Sequence, residues 1–241
     1  MNVSANFQPL YKQVYGVLIR RIAEGEWEPG ESLPSEQALA AELGVSQGTV
    51  RKALDALASE KLLERRQGRG TFVSEYTQEQ SLFRFFRLST PGPDGRRLVP
   101  SSHSDRVRRR AAEVAEREKL GLRKGTRVIE IMRTRTIGDR PAIVEKIVVP
   151  APLFPDLDRR ESLPNTLYSL YQREYGISIA VAREELKAVP ASRREAQFLD
   201  LEEGAPVLQI DRVAIAIDGR LVERRLSCCD TREIVYAVDV R

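Results

Sequence analysis

The chain has 241 residues, with 39 Lys and Arg against 35 Asp and Glu, one His and two Cys, enough for one or two domains with real cores. A hydrophobic content of 41% and a charged content of 31% exclude a disordered chain. No stretch approaches 18 apolar residues, and MNVSANFQPLYKQ lacks a signal-peptide run, so a cytoplasmic protein with no membrane contact is expected.

Leu10, Val14, Val17, Leu18 and Ile22 recur at helical spacing and predict a first amphipathic helix. After the turn Glu28-Pro29-Gly30, Ser35 stands as the N-cap of a second helix, which Gly44 ends. Ser46 caps a third, whose buried face is Val50, Ala53, Leu54 and Leu57. ERRQGRGTFV then reads as a small hairpin with a basic, Gly-containing tip. Ser81–Asp105 has no clean period and reads as a connector, with a docked piece around Leu82-Phe83-Phe85-Phe86. A helix is expected from Arg106 to Leu122, and another over Leu163–Tyr175.

The second half contains an internal repeat. Leu122–Arg133 aligns without gaps on Leu201–Arg212 at an offset of 79 residues. Each block is followed by a strand, a hairpin turn (Gly138-Asp139-Arg140 or Asp218-Gly219-Arg220) and a returning strand. Glu145 and Glu223 lie on the returning strands and are expected to be repeat counterparts. Two helix-then-hairpin units sharing one antiparallel sheet make this half an α+β domain.

The net charge of +4 lies in one stretch, residues 84–110, with eight Arg against Asp94 and Asp105. That surplus is expected to touch DNA phosphate or dock near the hairpin, tuning the coupling between domains. Residues 23–46 hold six Glu and no Lys or Arg, whereas residues 47–72 hold six basic groups against three acids. The first domain is therefore polarised, with its positive side on the third helix and the hairpin. QALAAELGVSQGTVRKALDAL has the small Ala40, the turn Gly44 and the buried positions of a helix-turn-helix. The exposed face of its second helix offers Ser46, Gln47, Thr49, Arg51 and Lys52: hydroxyls for phosphate, Arg51 for guanine and Gln47 for adenine. Arg65, Arg66, Arg69 and Gly70 would form a wing against the DNA backbone or minor groove. The competing reading is a helical hairpin for protein contact.

LPSE, GVS-x-x-TVR-x-AL and G-x-GTFV resemble the N-terminal domain of GntR-type regulators. RTR, RPAIVE, VVP and the Leu167-Tyr168 pair resemble the HutC-type effector domain (UTRA), which has a chorismate-lyase-like fold. The resemblance implies a winged helix-turn-helix over residues 1–75, a linker over 76–105, and an effector-binding and dimerisation domain over 106–241. It implies a homodimer that binds a palindromic operator in double-stranded DNA, with Ser35 among the DNA contacts, and a small anionic effector, a phosphorylated sugar or a carboxylate. Gln47 stands where the family usually has Arg. Lys61 replaces a common Gly, a change expected to matter little.

Arg133 and Arg135 share one strand face with Ile129 and Ile131. Two arginines beside apolar residues ask for an anion, or they pair with Glu145 or Glu130 across the hairpin. The resemblance places the RTR segment, Glu145 and Glu223 around the effector, with Thr166 at a helix N-terminus and Ser89 as further candidates. The expected strand after them reads CCDTREIVY instead of the family's usual ending. Neither a metal site nor a cofactor is expected, since Cys228 and Cys229 are adjacent and His103 stands alone. The alternative function is a lyase-like enzyme with Glu145 or Glu223 as acid or base. It lacks a nucleophile with an adjacent base, a phosphate loop and a metal set.

Overall fold

The computed structural model describes residues 8–76, 85–92 and 98–238, without the side chains of residues 103–105. The expected placement of Leu82 and Phe83, and of the His103 side chain, lies outside the described residues.

Three helices and a hairpin build the first domain: α1 (Leu10–Ala23), α2 (Glu36–Leu43), α3 (Gln47–Ser59), β1 (Leu63–Arg66) and β2 (Gly70–Val73). Val14, Leu18 and Ile22 of α1 meet Leu39 and Ala40 of α2 and Val50, Ala53, Leu54 and Leu57 of α3. Trp27, Leu33, Leu62, Leu63 and Val73 close this core. Ser35 and Ser46 cap α2 and α3 by accepting from the N–H groups of Ala38 and Thr49. Gly44, at φ 64°, makes the turn between the two helices.

Lys61 was expected to matter little, but it sits at φ 63° between α3 and β1. A Cβ in that region costs about 1–2 kcal/mol, which explains why glycine suits the position. Lys61→Gly should therefore raise stability by about 0.5–1 kcal/mol, after glycine's extra chain entropy is subtracted. Urea denaturation of the full chain measures this, and an unchanged midpoint refutes it.

The second domain is built on a six-stranded antiparallel sheet in the order β4-β5-β6-β9-β8-β7. Its strands are β4 (Ser101–Ala111), β5 (Arg127–Ile137), β6 (Arg140–Pro150), β7 (Ile179–Pro190), β8 (Pro206–Ala216) and β9 (Leu221–Cys229). Short helices α4 (Val114–Leu120) and α6 (Arg193–Leu199) interrupt the two halves. The repeat is thus strand, helix, hairpin, and β6 joins β9 at the middle of the sheet, from Ile143↔Cys229 to Val148↔Arg224. A separate ribbon pairs β3 (Leu88–Ser89) with β10 (Val235–Tyr236).

Helices α4 and α6 cover one face. Leu120 packs with Val128 and Val148, and Ala196 and Leu199 pack with Val144, Val207 and Cys228. The other face carries Ile129, Ile131, Ile147, Val149, Ala214 and Val222 against Phe154 and α5 (Leu167–Tyr175). Helix α5 starts four residues later than its periodicity suggests, because Pro164 precedes Asn165 and the N-cap Thr166.

The helix expected from Arg106 is instead the second half of β4; α4 begins only at Val114. The arginine run belongs to the sheet. Arg108 Nε donates to Glu130 at 2.6 Å, Arg109 Nε to Asp158 at 2.9 Å, and Arg110 Nη2 to the buried Glu116 at 2.5 Å. Arg108 and Arg110, two residues apart, share one strand face, and Glu130 on β5 accepts from both. These three arginines are tied within the second domain instead of reaching toward the wing. The boundary expected at residue 105 falls inside β4.

Cys228 and Cys229 point to opposite faces and are both buried. Burial pushes the Cys228 thiol up to about 12, helped by its hydrogen bond to Glu195. Neighbours on a strand pointing apart and held as thiols pack; they do not form a redox pair.

Candidate DNA interface and effector cleft

The HTH places α3 with Gln47, Gly48, Arg51, Lys52 and Asp55 exposed. Ser35 and Ser46 use their oxygens as acceptors within the caps, which leaves the Ser35 hydroxyl proton able to point at a phosphate. The Thr49 hydroxyl lies 2.8 Å from that of Ser46. Lys52 Nζ sits 4.5 Å over the Tyr11 ring, so α1 steadies it. On the wing, Arg66 stacks on Phe72 at 4.4 Å. Arg69 occupies the exposed tip beside Gly70, whose φ of 116° closes the hairpin.

Glu36, the first residue of α2, escapes notice in the sequence and organises this face. Its Oε2 accepts from Gln47 Nε2 at 3.3 Å and from Arg51 Nε at 2.9 Å. Its Oε1 accepts from Arg65 Nη1 at 3.1 Å, and Arg65 also reaches Asp55 at 2.6 Å. Partial burial opposes the charge on Glu36, but Arg51 and Arg65 hold the carboxyl below the usual range. The signal was present in LPSE: an acid at the start of the first HTH helix lies over the start of the second.

In the second domain, Arg133, Arg135, Glu145 and Glu223 are all buried on the α5 face of the sheet. They form two groups. In the first, Arg133 Nη1 and Arg135 Nη2 donate to the Asn165 carbonyl at 3.2 and 3.0 Å, and Arg135 Nη2 also to Asn165 Oδ1 at 2.7 Å. Asn165 in turn donates to the Pro100 carbonyl at 2.8 Å. The arginines thereby hold the loop that begins α5.

The second group surrounds Glu223. One oxygen accepts from Tyr168 and Arg225 Nε at 3.1 and 3.0 Å, the other from Tyr171 and Arg225 Nη2 at 2.8 and 3.1 Å. Glu223 is saturated, and its office is to hold Arg225. It is not the repeat counterpart of Glu145, as expected from the sequence. Glu145 pairs with Arg133, whereas Arg212 pairs with Arg225 and Glu223 falls opposite Ala214. The second hairpin has arginine where the first has glutamate.

Between these groups lies a small solvent-open cleft, lined by Arg135, Arg212, Arg225, Phe85 and Phe86 and by residues 165–168 at the start of α5. Thr166 makes no cap with its own side chain, so the start of α5 faces the cleft with its dipole unblocked. Phe85 packs edge-on against Tyr168 at 4.9 Å. Arg212 donates to Glu184 at 2.6 Å and to the Phe85 carbonyl at 2.5 Å. Ser89 is buried opposite Val235 in β3 and does not line the cleft.

Three buried polar atoms here have no hydrogen-bond partner among the described residues: Arg135 Nε, Glu145 Oε2 and Ser102 Oγ. Ser102 lies opposite Arg135 in the sheet, and Glu145 Oε2 is 3.9 Å from Arg135 Nη1. Burial lowers the Arg135 guanidinium to about 10, with Glu145 opposing. Burial works against the Glu145 charge, but Arg225 and Arg135 keep its carboxyl below the usual range. Four buried arginines (133, 135, 212 and 225) thus lie among the carboxylates of Glu145, Glu184 and Glu223. Sequence reasoning missed Arg212 and Arg225 as cleft residues; the offset of 79 from Arg133 reaches the first, and hairpin register reaches the second.

The two domains meet through α5. Gln172, buried, accepts from the Tyr76 N–H at 2.7 Å and donates to the Ser74 carbonyl at 3.0 Å and to Ser178 Oγ at 2.9 Å. Tyr76 donates its hydroxyl to the Ile179 carbonyl at 2.6 Å. The segment leaving the wing is therefore bound to the helix whose other end forms the cleft.

Residues 10–73 match the family described as bacterial regulatory proteins, gntR family, and residues 95–234 match the UTRA domain. The chain is 34% identical to the HTH-type transcriptional repressor NagR of Bacillus subtilis, over 91% of this chain and 89% of that one. It is 31% identical to the histidine utilization repressor of Pseudomonas aeruginosa, over 85% and 80% of the two chains. The ligand-binding domain of a GntR-family regulator from Bordetella bronchiseptica superposes with a TM-score of 0.58 at 27% identity, over 69% of this chain and 99% of that one. No helix of the described residues is long and apolar enough to cross a membrane. With a winged helix-turn-helix and a UTRA domain on one chain, the protein belongs to the GntR family of transcription regulators, as a repressor of its HutC subfamily.

Proposed function

We propose that the protein binds a palindromic operator as a homodimer and is released by a small anionic metabolite held in the cleft at the start of α5. Each α3 enters the major groove of one half-site, with Gln47, Arg51 and Lys52 over the bases and their edges. Ser35, Ser46, Thr49, Arg69 and the Gly70 backbone meet phosphate and the neighbouring groove. In the cleft, Arg135 and the α5 N-terminus with Thr166 take the anionic end of the effector, a phosphorylated sugar or a carboxylate. Glu145 accepts from its hydroxyl or amine groups, and Arg133 fixes the loop beneath it. Glu223 acts through Arg225, and Ser89 supports the cleft from the β3–β10 ribbon.

The observation that carries this reading is the pair of unpartnered buried atoms, Arg135 Nε and Glu145 Oε2, beside a cleft lined by Arg135, Arg212 and Arg225. A donor and an acceptor left dry cost about 1–3 kcal/mol each, more for charged groups, and a ligand with an anionic and a hydroxylic end satisfies both. Thermal-shift screening of sugar phosphates, amino sugars and small carboxylates, followed by fluorescence anisotropy on DNA upstream of the protein's own gene, tests it. The expected result is tight binding to that DNA, weak binding to a scrambled duplex, and release by the stabilising compound. Equal affinity for both duplexes, or stabilisation by no anion, overturns it.

A further inference from the structure

We infer that Gln47 selects a base with a major-groove amino group, adenine first and cytosine second, because Glu36 pins its amide with the oxygen facing outward. This rests on the operator-binding reading above.

Three side chains share the Glu36 carboxylate. The oxygen that accepts from Gln47 Nε2 at 3.3 Å also accepts from Arg51 Nε at 2.9 Å. The other oxygen is held by Arg65, itself anchored on Asp55. The Glu36 side chain is only 16% exposed, and its neighbours keep it charged.

An anionic oxygen settles the orientation of the amide. Turning the amide over would set Gln47 Oε1 against Glu36 Oε2, two lone-pair groups in contact with no proton between them. Gln47 therefore points an N–H at Glu36, and its oxygen, with at most one remaining hydrogen, is left for the groove. Adenine offers N6–H as donor and N7 as acceptor, and cytosine offers N4–H. Guanine presents O6 and N7, and thymine presents O4, all acceptors. An unpinned glutamine could turn two amide hydrogens toward such acceptors; a pinned one has at most one to offer and sets its oxygen lone pairs beside them.

The same carboxylate aims Arg51. With Nε engaged, the two Nη groups have no partner among the described residues, and they form the end-on fork that fits guanine O6 and N7. A guanine contact from Arg51 and an amino-base contact from Gln47, one helical turn apart on α3, are thus set by one acid.

The test is selection from a randomised half-site by the full chain, followed by anisotropy with all four bases at each position. The position read by Gln47 is the one whose preference moves to guanine in Gln47→Arg. There the wild type should favour adenine or cytosine over guanine and thymine by about tenfold. In Glu36→Ala the same position should flatten to within about threefold, because the freed amide turns either way. A purely structural role for Glu36 would lower affinity at all positions alike and leave that preference standing. Wild-type preference for guanine or thymine there, or an undiminished preference in Glu36→Ala, overturns the inference alone. Selection of no sequence at all overturns the operator reading with it.

Discussion

Arg135→Ala should abolish effector release, raising the effector concentration needed to free the operator by on the order of a hundredfold or more. Removing one partner of a buried, hydrogen-bonded charged contact costs about 2–5 kcal/mol, and Arg135 makes several contacts at once. It holds the Asn165 carbonyl and side chain, faces Glu145 at 3.9 Å, lines the cleft, and keeps Nε buried without a partner among the described residues. Arg135→Lys separates charge from geometry. It keeps a cation but loses the planar fork, so it should recover only a small part of the response. Operator affinity without effector, and the denaturation midpoint, show that each variant is folded. A folded Arg135→Ala protein released at the wild-type effector concentration would remove Arg135 from the site.

That expectation starts from RTR, and the sequence carried much of what surrounds it. The offset of 79 residues was enough to foresee two hairpins in one sheet, because a repeat keeps its apolar alternation even where its charges drift. Register was harder. The second hairpin turn is one residue longer, since Ile137 pairs with Arg140 whereas the Ala216 N–H donates to the Arg220 carbonyl, so equal spacing along the chain stopped meaning equal position in the sheet. Glu223 was matched to Glu145, when Arg225 occupies the corresponding place. Strand β4 was misread for a different reason. Arg108 and Arg110 lie on one face and look like solvated helix positions until Glu130 and Glu116 are known to wait beside them. Partners supplied from other elements are invisible to periodicity. The same blindness hid Glu36, whose role depends on α3 and the wing lying across it. Lys61 is the converse case, since its importance rests on a backbone angle that its side chain does not announce.

Gln172→Ala should leave effector binding within a few-fold of wild type yet sever most of its effect on the operator. Helix α5 has the cleft at its first residues and Gln172 on its second turn. Gln172 is the point where α5 holds the backbone of Ser74 and Tyr76, just past the wing. A ligand drawn onto the start of α5 biases the helix, and through Gln172 the segment that sets the wing. Alanine there removes an acceptor from the Tyr76 N–H and donors from the Ser74 carbonyl and Ser178 hydroxyl. That costs about 1–3 kcal/mol locally, which must be checked by denaturation. Coupling is the ratio of effector affinities with and without operator, and it must equal the ratio of operator affinities with and without effector. Both ratios should fall toward one in Gln172→Ala. Tyr76→Phe removes the bond to the Ile179 carbonyl and should reduce them less. Calorimetry of effector binding, with and without operator DNA, gives one ratio, and anisotropy gives the other. If a folded Gln172→Ala protein keeps the wild-type ratios, the domains communicate by another route, the packing of Ile217 in the β8–β9 turn against the core of the first domain being the next to examine.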